Sequence, residues 1–143
     1  MGPIAWLYRW LLCWDPIDRE EKLLRLIPKD WHKANKPIPF GRIAFQPRDR
    51  DEDGLSLYRE KWVTAHRLVS TRRSPEKWFV VRLKVKDILG LKVTLKPTVG
   101  DLPGHVVIAE MNTSDYKNNP SKIDEWAHFL TKIASQDIVL RPP

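Results

Sequence analysis

A chain of 143 residues holds one hydrophobic core and has no room for two independent ones. Its 42% hydrophobic and 30% charged residues exclude wholesale disorder, and a single cysteine, Cys13, excludes an internal disulfide framework and any zinc site built on two thiolates. The formal net charge of +7 favours an acidic partner: nucleic acid, an acidic protein surface or an anionic membrane.

The N-terminus, MGPIAWLYRWLLCWDP, carries an apolar run from Ile4 to Trp14. The run is too short to span a bilayer, and Arg9 sits in its middle. No Lys or Arg precedes it and Asp15-Pro16 follows, which does not fit a secretion signal. Gly2 does not open a myristoylation motif. The expectation is a cytoplasmic protein in a reducing compartment, with no membrane span. Trp6, Trp10 and Trp14 recur at helical spacing beside Ile4, Leu7 and Leu11, predicting a Trp-rich helix with little polar face. Such a helix is buried in the domain, or docks on a partner protein through Trp6, Leu7, Trp10, Leu11 and Trp14, or inserts into a membrane surface. The last requires a Lys-rich face that is absent here.

Asp18 to Ile27 (DREEKLLRLI) reads as a second helix, with Asp18 and Glu21 at capping-box spacing and Pro28 as its stop. Residues 1–27 are therefore expected to form N-terminal docking helices ahead of a single α+β domain over 28–143. After a loop over 29–39, short strands are expected at 43–45 and 55–58, and a helix at 59–70. Trp78 to Val85 alternates and is rich in β-branched residues, as a central strand does. A helical turn at 87–90, strands at 92–95 and 105–108, a helix from Ser121 to Ser135 and a last strand at 138–140 complete the chain. The fold class is α+β: a small mixed or antiparallel sheet, with the C-terminal helix packed on it and the apolar helix in front.

Charge is unevenly placed. Residues 41–98 hold fourteen Lys and Arg against seven Asp and Glu, while basic and acidic residues cancel over the rest of the chain. Arg82, Lys84 and Lys86 alternate along one strand and are expected to share a face, with Arg72, Arg73, Lys92 and Lys96 nearby. Such a face either tracks a phosphate backbone or binds an acidic protein, unless it is merely a solvated face that guards strand edges. A platform for single strands requires aromatic rings between the cations, and Trp78 and Phe79 are the only ones close to this strand.

The run from Asp49 to Glu60 satisfies D-x-D-x-D-G-x5-E, so Asp49, Asp51, Asp53 and Glu60 form a calcium-loop candidate with Gly54 at the sharp turn. The extended, Pro-rich sequence before it and Ser56 at the eighth position favour an acidic turn between strands instead. No cofactor is otherwise implied. Among the histidines, His105 follows Leu102-Pro103-Gly104 at a strand start, where a tight turn exposes the imidazole as a base or pocket residue. With Arg42, Tyr58 and Glu110 it permits a ribonuclease-like or ADP-ribosyl-transfer-like site. Phosphate loops, GxSxG, HExxH and dinucleotide fingerprints are missing from the sequence.

The segments IPKDW (27–31), FGRIAF (40–45), DGLSLYRE (53–60), LPGHVVI (102–108) and AHFLTKIAS (127–135) make the chain from Ile27 onward resemble small uncharacterised bacterial proteins of mobile-element and defence loci. The resemblance implies an accessory role and no particular activity. The leading expectation is a non-enzymatic binding or adaptor module whose basic centre takes DNA, RNA or an acidic partner while it docks on a larger protein or ribonucleoprotein complex, as in a bacterial defence system. The alternative is a small enzyme acting on nucleic acid or a nucleotide through His105.

Overall fold

The computed structural model describes residues 15–99 and 102–143. The Trp-rich segment, with Trp6, Leu7, Trp10, Leu11 and Trp14, lies outside the described residues. The fold is α+β. Strands β1 (Lys22–Pro28), β2 (Leu55–Arg59), β3 (Trp78–Lys84), β4 (Leu95–Pro97), β5 (His105–Ile108) and β6 (Ile138–Leu140) form one sheet in the order β4-β5-β2-β1-β3-β6. Every pairing is antiparallel. Helices α1 (Ala65–Ser70), α2 (Val85–Leu89), α3 (Thr113–Asn118) and α4 (Pro120–Ala134) fill the connections, with 3-10 turns at Lys29–Trp31, Arg42–Phe45 and Pro75–Lys77.

Alternation along the strands separates two faces. Leu23 and Ile27 of β1, Leu55 and Leu57 of β2, Phe79, Val81 and Leu83 of β3, and Val106 and Ile108 of β5 meet Ile123, Ala127, Leu130 and Ala134 of α4 in the main core. Ala44 and Phe45 close one side of it. On the opposite face, Leu24 and Val80 pack under Ala65, Leu68 and Val69 of the short helix α1. Thr64 caps α1, its Oγ1 accepting the Arg67 amide at 3.1 Å. Because α1 has only six residues, Leu26, Tyr58 and Trp78 at its margin stay only partly buried.

Four expectations are corrected. Residues 18–27 are not a helix. The box-like bonds do form, Asp18 N–H donating to Glu21 Oε2 at 2.7 Å and Glu20 N–H to Asp18 Oδ1 at 2.9 Å, but they close a turn, and β1 runs on from Lys22 across the expected boundary at 27/28. Between β2 and β3, a strand needs apolar residues on both faces, and that removes the period that separates strand from helix. Residues 43–45 belong to a 3-10 turn that buries Ala44 and Phe45. The helix expected from Arg59 starts at Ala65, because Arg59 ends β2. The strand expected at 92–95 begins at Leu95, after Lys92 turns the chain at φ 61° and Glu110 takes the Thr94 amide. Helix α3 is an addition, capped by Asn112 Oδ1 on the Asp115 amide at 2.8 Å. The last helix starts one residue earlier than expected, with Pro120 in its first turn.

Candidate nucleic-acid interface

The sheet face not covered by α4 carries Leu26 and Pro28 of β1, Ser56 and Tyr58 of β2, Trp78 of β3 and His105 of β5, beyond the end of α1. These residues floor a cavity of about 330 Å³, walled by Trp31, Arg48, Arg50, Asp51, Arg25 and Arg72. A second cavity of about 300 Å³ adjoins it, sharing Pro28, Arg72 and Trp78 and adding Lys29, Asp30, Arg73, Ser74 and Lys77. Together they make a groove with four arginines and one carboxylate in its inner part.

Local structure sets each wall. Pro28 ends β1, and the following 3-10 turn presents Trp31. The Arg48 guanidinium lies 4.9 Å from the Trp31 ring centre. Arg48 and Asp51 tie their turn reciprocally: the Arg48 amide donates to Asp51 Oδ2 and the Asp51 amide to the Arg48 carbonyl, each at 2.8 Å. Thr113 fastens it from outside, its hydroxyl donating to the Arg48 carbonyl at 2.6 Å and its amide to that of Asp51 at 3.1 Å. Gly54 closes this loop at φ 134°, where a Cβ would stand 2.4 Å from the Ile108 carbonyl oxygen. Arg72 leaves the end of α1 and stacks over Trp78 at 5.6 Å.

Arg25 occupies a break in the sheet. β1 and β2 pair only at Leu23–Arg59 and Leu24–Tyr58 and then part. Into the opening Arg25 donates Nε to the Ala44 carbonyl at 2.7 Å and Nη1 to the Ser56 carbonyl at 2.9 Å, over the Phe45 ring. Burial pushes its guanidinium down to about 10, with Asp51 pulling it up and Arg50 pressing it down, so it stays charged at neutral pH. Beside it, the His105 imidazole faces Ser56 Oγ at 3.0 Å through Nε2 and meets the Thr98 hydroxyl through Nδ1, with its ring edge-on to Tyr58. Gly104, at φ 85°, makes the turn that delivers His105, as the sequence suggested.

Among the described residues, two groups of arginines have contrasting surroundings. Arg82 donates Nε and Nη2 to Glu60 at 2.9 and 2.7 Å and reaches Asp137 at 3.3 Å, so a carboxylate already answers its charge. Arg59, 1% exposed, donates to Glu21 at 2.7 and 2.8 Å, to Asp15 and to two backbone carbonyls. Among the described residues, Arg48, Arg50 and Arg72 have no such carboxylate, and Arg72 Nε is buried with no hydrogen-bond partner.

The expected cationic face is therefore corrected. Arg82 is neutralised within the fold, and Lys86 leaves the strand because β3 ends at Lys84 and α2 begins at Val85, which is drawn into the core. Lys84, Lys92 and Lys96 are exposed, at the end of β3, in a turn and on the edge strand β4. Arg72, Arg73 and His105 do line the groove. Tyr58, named beside His105 in the enzyme alternative, also lines it, whereas Arg42 and Glu110 do not; Arg25, Arg48, Arg50 and Trp31 complete it without having been singled out. Excess Arg between 41 and 98 was the signal for two of them.

The calcium-loop residues are not brought together. Asp49 and Asp53 are exposed, Asp51 is turned onto the Arg48 amide, and Glu60 lies beyond the whole of β2, bound to Arg82. Among the described residues, no three His, Cys, Asp or Glu are grouped to hold a metal ion, and no helix is long and apolar enough to cross a membrane. Compared with protein-family models, curated proteins and solved structures, the chain matches none.

Proposed function

We propose that the protein is a binding module for single-stranded nucleic acid, taken in the groove between Trp31 and Trp78. The observation that supports this is the set of guanidiniums from Arg48, Arg50 and Arg72, left without carboxylate partners beside two indoles in one concave site. Folding leaves charge unanswered at some cost in self-repulsion, and a polyanion relieves it. Arginine suits phosphate through its planar fork of donors, and indole rings stack on bases of any sequence. The Trp-rich residues before Asp15 are the segment through which the module would dock on a larger protein or ribonucleoprotein complex of a bacterial defence system.

Anisotropy of a labelled 12-nucleotide DNA or RNA between 50 and 200 mM salt tests this reading. Binding is expected to weaken steeply with salt, and the triple replacement Arg48→Ala, Arg50→Ala and Arg72→Ala to reduce the logarithmic salt slope by about 2, near 0.7 per lost phosphate contact. An unchanged slope in a folded triple variant refutes the groove.

A second reading, a small enzyme on nucleic acid or a nucleotide, is favoured by the Ser56 hydroxyl held 3.0 Å from His105 Nε2 beside the arginines. It predicts turnover of RNA or a nicotinamide nucleotide that His105→Ala removes while ligand binding persists; no turnover in the native protein rejects it.

A further inference from the structure

The two parts of the groove differ in construction. The outer part lies between two segments only, residues 28–30 and 72–78; its cations Lys29, Arg73 and Lys77 are exposed, as are Arg48 and Arg50 of the inner part. The inner part is walled by strands β1, β2 and β5, the turn at Trp31, the loop at 48–51 and the Arg72–Trp78 pair. Its volume, about 330 Å³, is near the lower end for small-ligand sites and suits roughly one nucleotide. Four arginines and one aspartate line that volume, together with Ser56, Tyr58 and His105; the guanidinium of one of them, Arg25, is already taken up by the Ala44 and Ser56 carbonyls.

An internal phosphodiester brings one negative charge and two unesterified oxygens per nucleotide. A terminal phosphomonoester brings −1.5 to −2 and three acceptor oxygens. The inner cavity, lined by Arg48, Arg50 and Arg72 against the single acid Asp51, is better matched to the second. We infer that the inner cavity binds the phosphorylated end of a strand, whose following nucleotides run out past Trp78 toward Arg73 and Lys77. The inference rests on the single-strand reading above and adds which part of the strand is recognised. Arg50 and Arg72 would share the terminal oxygens, with Ser56 as a neutral donor from the floor.

The test compares one 12-nucleotide sequence in four forms at fixed salt: 5′-phosphorylated, 3′-phosphorylated, with both ends hydroxyl, and closed into a circle. Binding to one phosphorylated form is expected to be about tenfold or more tighter than to the hydroxyl-ended form and the circle, and Arg50→Ala or Ser56→Ala to shrink that preference several-fold. The two phosphorylated arms identify which end is read. Equal binding of all four forms overturns end recognition while leaving the groove intact. A linear hydroxyl-ended strand bound as tightly as the phosphorylated ones also overturns it, since the phosphate is then not what is recognised. Absence of binding by every form fails the single-strand reading itself.

Discussion

Two groups of arginines sit toward opposite ends of the sheet, and they differ in what surrounds them. Toward the Lys22 end of β1, Arg59 and Arg82 are locked onto Glu21, Asp15, Glu60 and Asp137. Toward the Pro28 end, Arg48, Arg50 and Arg72 stack on indoles or lie open in a concave groove, with no carboxylate paired to them among the described residues. The same residue type serves cohesion in one place and leaves charge available in the other. A net charge of +7 says nothing of this division; only the partners do.

The largest expected effect tests the cohesive end. Arg59→Met keeps the volume but strands the Glu21 carboxylate in a site where it is 9% exposed, and is expected to cost about 3–5 kcal/mol of stability, read by denaturant unfolding. A loss below 1 kcal/mol would mean that the cluster is ornamental to the fold. Gly54→Ala comes next and probes the loop behind the groove. A Cβ there meets the Ile108 carbonyl in a backbone conformation hostile to side chains, so about 2–3 kcal/mol is expected to be lost, with weaker strand binding as the 48–51 turn shifts.

A matched pair then sharpens the contrast. Arg82→Gln is expected to cost about 1 kcal/mol, because its ion pairs are partly exposed, and to leave nucleic-acid affinity unaltered. Arg72→Ala is expected to do the opposite, changing stability by about 0.5 kcal/mol or less while lowering affinity about tenfold. If both variants lose affinity equally, the two ends are not distinct.

The smallest effect is graded with pH. Burial raises the Glu21 carboxyl, but hydrogen bonds from Arg59 and the Asp18 amide and the nearby Arg59 and Lys61 charges outweigh it and hold the group below its ordinary 4.5. Lys61, with Arg59, holds the Asp15 carboxyl below 3.8. A carboxyl depressed in the folded state favours folding above its unfolded value and loses that contribution as the pH falls through its folded value. Melting temperature is thus expected to decline as pH drops below about 4.5, and less so in Glu21→Gln. Equal acid sensitivity in the two proteins would remove Glu21 from the account.

Most of the sheet was legible where one face met water or where β-branched residues clustered, as in β3 and β5. β1 was not, because Leu23, Leu24, Leu26 and Ile27 satisfy both faces at once and erase the period of 2. The basic stretch named Arg72 beside the strand cations, and pointed to Arg48 and Arg50 only as members of a crowd. Nothing local distinguishes them from Arg82, since Glu60 and Asp137 lie 22 and 55 residues away from it along the chain. Arg25 gave no signal, because its role depends on where two strands separate.

That separation has a consequence for motion. The centre of the sheet is held between β1 and β2 by two residue pairs, the Glu60 amide on the Lys22 carbonyl at 3.0 Å and the side chain of Arg25, whereas β1 and β3 pair along all seven residues of each strand. The seam down the middle is thus paired no more fully than the β3–β6 edge, which two residue pairs also join, although edges are normally the first to fray. Amide protons facing β2 should exchange with solvent sooner than those facing β3. A ligand that stiffens Arg25 would slow that exchange through the centre of the molecule, far beyond the groove it occupies.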